Sequence, residues 1–435
     1  MSLPIESLYS AYLACGGVST DTRRIGPNTL FFALKGKNFN GNEFAGPALA
    51  GGARYAVVDE AAYAVDERYL LVNDTLRALQ QLALHHRRQL AIPFLAIGGS
   101  NGKTTTKELI HAVLRQRYRT YATPGNLNNH IGVPLTLLAI DGSVEMAVIE
   151  MGADRKGEMT ELLRIGEPTH GLITNIGKEH LETFGGLAGV MEGEGELYDF
   201  LSESQEVVFI NSREPLLREV ETGRPRHFSE RVRFPEPGDY LHCELLESSP
   251  FVVYRHENGQ RVETQLTGAY NFENVAAALC VGKYFGVPAE QANAAVAAYQ
   301  PENNRSQIVR QGTNVILLDA YNANPSSVQA ALQNFRALKA DKKVVILGDM
   351  LELGDYAPAE HRRVGELVAE SGFDTVVLCG NLMQHALGPN PGAYYFPDKF
   401  SLHNWLADHP FAGAHVLVKG SRSLSLESVL PFIVG

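Results

Sequence analysis

The run Gly98-Gly99-Ser100-Asn101-Gly102-Lys103-Thr104-Thr105-Thr106 constrains this chain more than any other. It follows the apolar stretch Phe94–Ile97 and opens a helical stretch, Lys103–Arg115. A strand, a glycine-rich turn and a helix in that order wrap backbone amides around an anion. The helix N-terminus adds partial positive charge at the same point. Lys103 is placed to reach β- and γ-phosphates, and the Thr104 hydroxyl to ligate Mg²⁺. The spacing is Gly-x-x-Gly-Lys-Thr; five residues before Gly102, where the general phosphate loop has glycine, stands Ile97. The same run also suits a plain turn capping a helix, but the full order of elements favours a nucleotide.

Other short apolar runs read as strands: Met146–Glu150, Gly171–Ile176, Val207–Ile210, Val315–Asp319, Val344–Gly348, Val376–Gly380 and Val416–Lys419. Helical stretches such as Asn274–Phe285 and Ser326–Leu338 fall between them. Alternation of this kind predicts an α/β chain with parallel sheets. Ligands then bind beyond the carboxyl ends of the strands, where the most chemical residues here fall. At roughly 150 residues per domain, 435 residues make about three. Breaks near 88–92 and at Tyr299–Pro301 divide the chain into 1–90, 91–300 and 301–435. Residues 222–265 alternate like an antiparallel insertion.

The net charge of −11 disfavours a nucleic-acid partner, which calls for a basic excess. The four cysteines, Cys15, Cys243, Cys280 and Cys379, are far apart, which argues against a disulfide framework or a structural zinc site. No Lys or Arg precedes Arg23, and no apolar run approaches the ~20 residues of a spanning helix. A cytoplasmic, reducing setting without membrane insertion is expected, and the chain is expected to be a monomer.

Two further residues carry phosphate chemistry. Glu150 closes an apolar strand and can project into the phosphate cleft to hold a metal; equally, it can be a surface Glu at a strand end. His180 follows Thr174-Asn175-Ile176-Gly177 and can complete a second metal shell, although Mg²⁺ prefers oxygen and a lone His is more often structural.

In combination these pieces resemble a known family. Gly99–Thr105, Glu150-Met151-Gly152 and Asn175-Ile176-Gly177-x-x-His180-Leu181 resemble the Mur ligases, and so do Gly268-x-x-Asn271-x-x-Asn274 and Pro301-x-x-x-Arg305. Ser19-Thr20-Asp21-Thr22-Arg23, Leu30–Gly36, Gly125–Pro134, Asp319–Pro325, Leu347–Gly354 and Lys419-Gly420-Ser421-Arg422 are similar to the MurF type. The Asp-Asn-Pro-Arg tetrapeptide of the diaminopimelate-adding type is absent. The resemblance spans residues 19 to 422.

It implies a three-domain architecture: a UDP-binding domain, a central phosphate-loop ATPase and a C-terminal Rossmann-like domain. It also implies a reaction in which ATP phosphorylates the terminal carboxylate of UDP-N-acetylmuramoyl-tripeptide. The amine of D-alanyl-D-alanine then attacks the acyl phosphate. Carried over residue by residue, Gly99, Ser100, Asn101, Gly102, Lys103, Thr104 and Thr105 hold ATP. Asn271 and Asn274 lie on its adenine side, and Arg305 and Asp319 reach it from the C-terminal domain. Thr104, Glu150 and His180 serve Mg²⁺. Ser19, Thr20, Arg23 and Lys35 approach the UDP-linked substrate. Asn128, Asn129, Tyr321, Asn322, Asn324, Lys419 and Arg422 complete the substrate contacts. The third residue of the tripeptide, diaminopimelate or lysine, is not readable from these motifs.

One departure stands out. Many Mur ligases have a Lys-x-Lys-Gly-Glu-Leu-like stretch whose lysine becomes carbamylated and bridges the second metal site. This chain reads Glu192-Gly193-Glu194-Gly195-Glu196-Leu197 there. Glu194 falls on the lysine position and is expected to supply the same negative charge as a catalytic residue. The alternative is an acidic helix start favoured by the dipole.

Overall fold

A computed structural model describes residues 3–301 and 305–434. It contains four sheets. The first is parallel, with strands β1 (Gly17–Ser19), β2 (Thr29–Phe32), β3 (Ala53–Val58) and β4 (Tyr69–Leu71) in that order. The helix Thr75–Arg87 follows. It buries Leu79 and Leu82 and packs on helices Gly132–Leu138 and Glu158–Gly166 of the next sheet's layer.

The second sheet holds β5 (Phe94–Gly98), β6 (Thr120–Ala122), β7 (Met146–Glu150), β8 (His170–Ile173), β9 (Val207–Asn211) and β10 (Glu230–Phe234). Its order is β10-β9-β8-β5-β7-β6, and all pairs are parallel. The chain leaves β5 for one side of it and returns to the other. The carboxyl end of β5 is therefore a topological switch point, where a crevice opens between diverging connections. β5, β7, β8 and β9 bury nearly every residue, as a sheet covered on both faces requires.

The stretch 222–265 is not one antiparallel insertion. Its first strand, β10, is the edge of the central parallel sheet. Only β11 (Cys243–Glu247), β12 (Val253–His256) and β13 (Arg261–Glu263) form an antiparallel meander. The misleading alternation has a physical cause. Val232 and Phe234 are buried, whereas Glu230 and Arg231 are exposed, because an edge strand is less covered than its neighbours.

The fourth sheet holds β14 (Gln307–Gln311), β15 (Asn314–Asp319), β16 (Lys343–Gly348), β17 (Thr375–Cys379), β18 (Tyr394–Phe396) and β19 (His415–Lys419). Its order is β14-β15-β19-β16-β17-β18, parallel except for β14. β15 and β19 end in register, with Asp319 opposite Lys419. One continuous apolar cluster runs from Leu30 and Leu82 through Ile149 and Leu163 to Ala323 and Leu347, so the three large sheets rest on each other through packed side chains.

Candidate active site

β5 delivers the glycine-rich loop to the helix Lys103–Leu114. Gly102 caps that helix at φ +81, and a Cβ there would lie 2.6 Å from Asn274 Oδ1. Gly99, at φ +111, would put a Cβ 2.3 Å from Thr174 Oγ1. Only glycine fits either position. The segment after β8 fixes the loop. Ser100 N donates to Asn175 O (2.9 Å), and Asn101 N donates to Asn175 Oδ1 (3.1 Å). Thr174 Oγ1 and Asn175 Nδ2 both donate to Asn101 O, at 2.7 and 2.8 Å.

Lys103 folds back into this loop. Its Nζ donates to Gly99 O and lies 3.7 Å from Glu179 Oε2. Burial alone would lower its pKa, but the carboxylates of Glu179, Glu194 and Glu150 outweigh burial and raise it. Lys103 is thus a firmly charged cation.

Glu150, at the end of β7, is 1% exposed. Its Oε1 accepts from Thr104 Oγ1 (3.2 Å) and Asn128 Nδ2 (2.8 Å). Its Oε2 has no hydrogen-bond partner and sits 3.5 Å from Lys107 Nζ. A hydroxyl and a half-satisfied carboxylate beside a phosphate loop suit Mg²⁺, which takes one or two protein oxygens and completes its shell with phosphate and water. Among the described residues no group of three or more His, Cys, Asp and Glu could hold a metal ion.

His180 lines the cleft between two carboxylates. Its Nδ1 is 2.8 Å from Glu352 Oε2, and its Nε2 is 3.3 Å from Asp154 Oδ1. Burial would lower its pKa, but the bond to Glu352 and the charges of Glu179 and Asp154 raise it. With carboxylates on both nitrogens, it joins the central sheet to the loop after β16.

Glu194 stands apart from the cleft. It is on the helix Leu187–Glu203, wholly buried behind the loop rather than lining the cleft. Its Oε2 accepts from Gly99 N at 2.6 Å, and its Oε1 has no partner. Burial pushes the carboxyl up to about 7, against the pull of Lys103. Gly99 is turned toward Glu194 and likewise does not line the cleft.

The C-terminal sheet supplies the opposite wall. Lys419, 2% exposed, pairs with Asp319 at 2.6 Å and donates to Asn322 O. Ser306 N donates to Asp319 Oδ1, and Tyr270 OH meets Ser306 Oγ at 2.9 Å. The Arg305 guanidinium lies 3.6 Å from the Tyr321 ring centroid, and that of Arg422 lies 4.9 Å from it. Asn324 caps the helix Pro325–Ala337 through a reciprocal bond pair with Ser327, and its Nδ2 donates to Asn101 Oδ1 at 2.9 Å. The two walls enclose a cleft of about 580 Å³. Ser100 to Thr105, Asn128, Asn129, Glu150, His180, Asn271, Asn274, Arg305, Asp319, Tyr321, Asn322, Asn324 and Lys419 all line it.

Asn271 and Asn274 reach the cleft, but their side chains bond to each other, to Thr267 O and to Thr106 Oγ1. Several other expected residues do not line it. Ser19, Thr20, Arg23 and Lys35 lie on the first sheet and its loops, outside the cleft. Ser19 Oγ bonds to the Asp21 backbone, Arg23 pairs with Asp21 (2.7 Å), and Lys35 pairs with Asp59 and Glu60 (2.9 and 3.0 Å). Arg422 reaches Tyr321 from outside. Conversely, Glu179 lines the cleft and Lys107 lies behind it beside Glu150, and neither was singled out in the sequence, whereas Asn175 and Glu352 stood in motifs without a role. Lys107 had a signal, one helical turn after Lys103 on the same face. Glu179 stood beside His180.

Comparison with known proteins agrees with this geometry. Three family models match in order: "Mur ligase family, catalytic domain" over 15–87, "Mur ligase middle domain" over 97–282, and "Mur ligase, glutamate ligase domain" over 304–422. The UDP-N-acetylmuramoyl-tripeptide–D-alanyl-D-alanine ligase of Bacillus subtilis (strain 168) is 34% identical over 433 residues, covering 96% of this chain and 93% of that one. The chain belongs to the Mur ligase family. Among solved Mur ligases, a MurF structure from Acinetobacter baumannii superposes with a TM-score of 0.86 at 29% identity, covering 100% of this chain and 99% of that one. MurF ligase from Thermotoga maritima in complex with ADP superposes with a TM-score of 0.84 at 25% identity, covering 97% of each chain. The three-domain Mur ligase fold expected from the motifs is the fold observed.

Proposed function

We propose that this protein is the ATP-dependent ligase that joins D-alanyl-D-alanine to UDP-N-acetylmuramoyl-tripeptide in peptidoglycan precursor synthesis. One observation carries the reading beyond the names of its relatives. The phosphate loop with Lys103 and the Asp319–Lys419 and Asn324 group face one cleft from two different sheets. Activation and amide formation need that arrangement, with nucleotide on one wall and the second substrate on the other. The parts 1–90, 91–300 and 301–435 take the UDP moiety, ATP and the dipeptide.

A carboxylate is a poor electrophile at neutral pH, and a phosphate leaving group removes that barrier. The step brings two anions together, so fixed cations must neutralise them. Lys103 and the loop amides hold the polyphosphate, and Arg305 approaches it from the other wall. Thr104 and Glu150 would hold Mg²⁺, which supplies further charge neutralisation when bound. Asn128 holds the Glu150 carboxylate in place through its 2.8 Å bond. Asn322 and Asn324 orient the dipeptide, whose neutral amine attacks the acyl phosphate. The tetrahedral adduct then expels phosphate. Closing the cleft excludes the water that would otherwise hydrolyse the acyl phosphate.

No helix among the described residues is long and apolar enough to cross a membrane. We read the protein as a monomer that works in the cytoplasm on small-molecule substrates. The test is phosphate release with product mass spectrometry. Release is expected only when the UDP-linked tripeptide and D-alanyl-D-alanine are both present, with either diaminopimelate or lysine at the third position decided by the same assay. Release with folate and glutamate instead would overturn the reading.

A further inference from the structure

We infer that Lys107 is a built-in counter-ion that makes metal binding at Glu150 depend on nucleotide. In the ligase reading above, on which this rests, Glu150 holds Mg²⁺; Lys107 decides when. Lys107 stands in the second turn of the helix that follows the phosphate loop, and its side chain is buried. Its Nζ donates to Gly125 O at 2.8 Å and lies 3.5 Å from Glu150 Oε2. No hydrogen bond joins the ammonium to that oxygen, so charge alone acts between them. Glu150 lines the cleft and Lys107 does not, which sets the ammonium behind the carboxylate, away from the substrate side.

A carboxylate buried as deeply as Glu150 must be matched by a cation. Its hydrogen-bond donors, Thr104 and Asn128, are neutral. Lys103 lies against Glu179 (3.7 Å), which leaves Lys107 to match Glu150. Like charges one helical turn apart are unfavourable, and here each lysine faces its own carboxylate. The bond to Gly125 O fixes the ammonium in place, and that carbonyl opens the segment carrying Asn128, which holds the other oxygen of Glu150. A divalent cation arriving alone therefore meets a carboxylate already neutralised, with an ammonium behind it that repels the newcomer. Nucleotide changes the balance. Its phosphates bring negative charge to the loop and supply the oxygens that complete a Mg²⁺ shell. The metal then enters with nucleotide rather than before it.

The experiment measures Mn²⁺ bound to the full chain by electron paramagnetic resonance, with and without a non-hydrolysable ATP analogue. The wild-type protein is expected to bind Mn²⁺ weakly alone and tightly with the analogue. Lys107→Met should tighten binding of Mn²⁺ alone by on the order of 10- to 100-fold, the scale on which one nearby charge biases an ionic equilibrium. The gain that the analogue brings should shrink accordingly. Lys107→Arg keeps the charge and should behave as wild type. A folded Lys107→Met protein that binds Mn²⁺ alone no better than wild type overturns the inference, and that is the result a merely structural lysine would give. Lys107→Gln carries the same comparison if the methionine variant does not fold. A wild-type protein that binds Mn²⁺ equally well with and without the analogue also overturns it. Glu150→Gln should abolish the analogue-dependent binding; if that variant binds as wild type does, the assignment of Glu150 to the metal has itself failed.

Discussion

At the scale of single residues, Lys103 and Glu194 divide the phosphate loop between function and strain. Lys103 is the charge that the loop presents to nucleotide, so Lys103→Met should lower kcat/KM for ATP by roughly 10²- to 10³-fold, as loss of one preorganised donor does. Steady-state phosphate release measures it. Glu194 is the opposite case. Its carboxyl is raised from about 4.5 to about 7 by burial, so the fold favours the protonated form. Stability from that group is complete below the unfolded value and is lost as pH rises through about 7. Glu194→Gln copies the protonated state and still accepts from Gly99 N. The variant should therefore melt a few degrees above wild type at pH 8 and level with it at pH 4.5 in a thermal scan. If the charge is used in catalysis, the same variant loses turnover at pH 8 although it is the more stable protein. An unchanged rate at pH 8 assigns Glu194 to loop support alone.

At the scale of elements, the parts legible in the sequence were those whose roles are local. Strand β5, its loop and the following helix are contiguous, so Lys103 and Thr104 announce themselves by spacing. Glu150 is legible because it ends an apolar strand. Glu194 was singled out by the family stretch around it, but its place behind the loop, like the contact of Glu179 with Lys103, arises only when the helix Leu187–Glu203 and the segment after β8 fold against β5. Edge strand β10 misled for a related reason, since an exposed edge of a parallel sheet alternates as a hairpin does. The helix Pro325–Ala337 offers an element-scale test, because Asn324 does two jobs with two atoms. Its Oδ1 caps the helix, and its Nδ2 reaches Asn101 in the phosphate loop. Asn324→Asp keeps the cap and deletes the loop contact, so stability should hold while kcat falls. Asn324→Ala should lose both, with about 1 kcal/mol from the cap. Urea unfolding beside steady-state kinetics separates the two. Equal kinetics for Asp and wild type would show that the loop contact is idle.

At the scale of the whole molecule, the acidic balance of the chain takes on a mechanical role. The central and C-terminal sheets are tied by Lys178–Glu360 (2.5 Å), His180–Glu352 (2.8 Å) and Asn101–Asn324 (2.9 Å). Lys178 N adds a bond to Ser326 Oγ (2.8 Å), and Gly354 packs against Glu182 closely enough that a Cβ would lie 2.8 Å from its Cγ. Two of the ties depend on C-terminal carboxylates meeting central cations. Both pairs are partly buried, so desolvation offsets much of their attraction, and the closed arrangement is held by a margin that substrates can add to or that two substitutions can remove. Glu352→Gln combined with Glu360→Gln should enlarge the radius of gyration in small-angle scattering without nucleotide. ATP with the UDP-linked tripeptide should draw the variant back to the wild-type value, because ligand contacts on both walls replace the lost pairs. The KM values should then rise more than kcat falls, since saturated enzyme is closed either way. A variant that scatters identically with and without substrates would mean that packing from Ala323 and Val328 into the shared core, rather than charge, holds the two walls together.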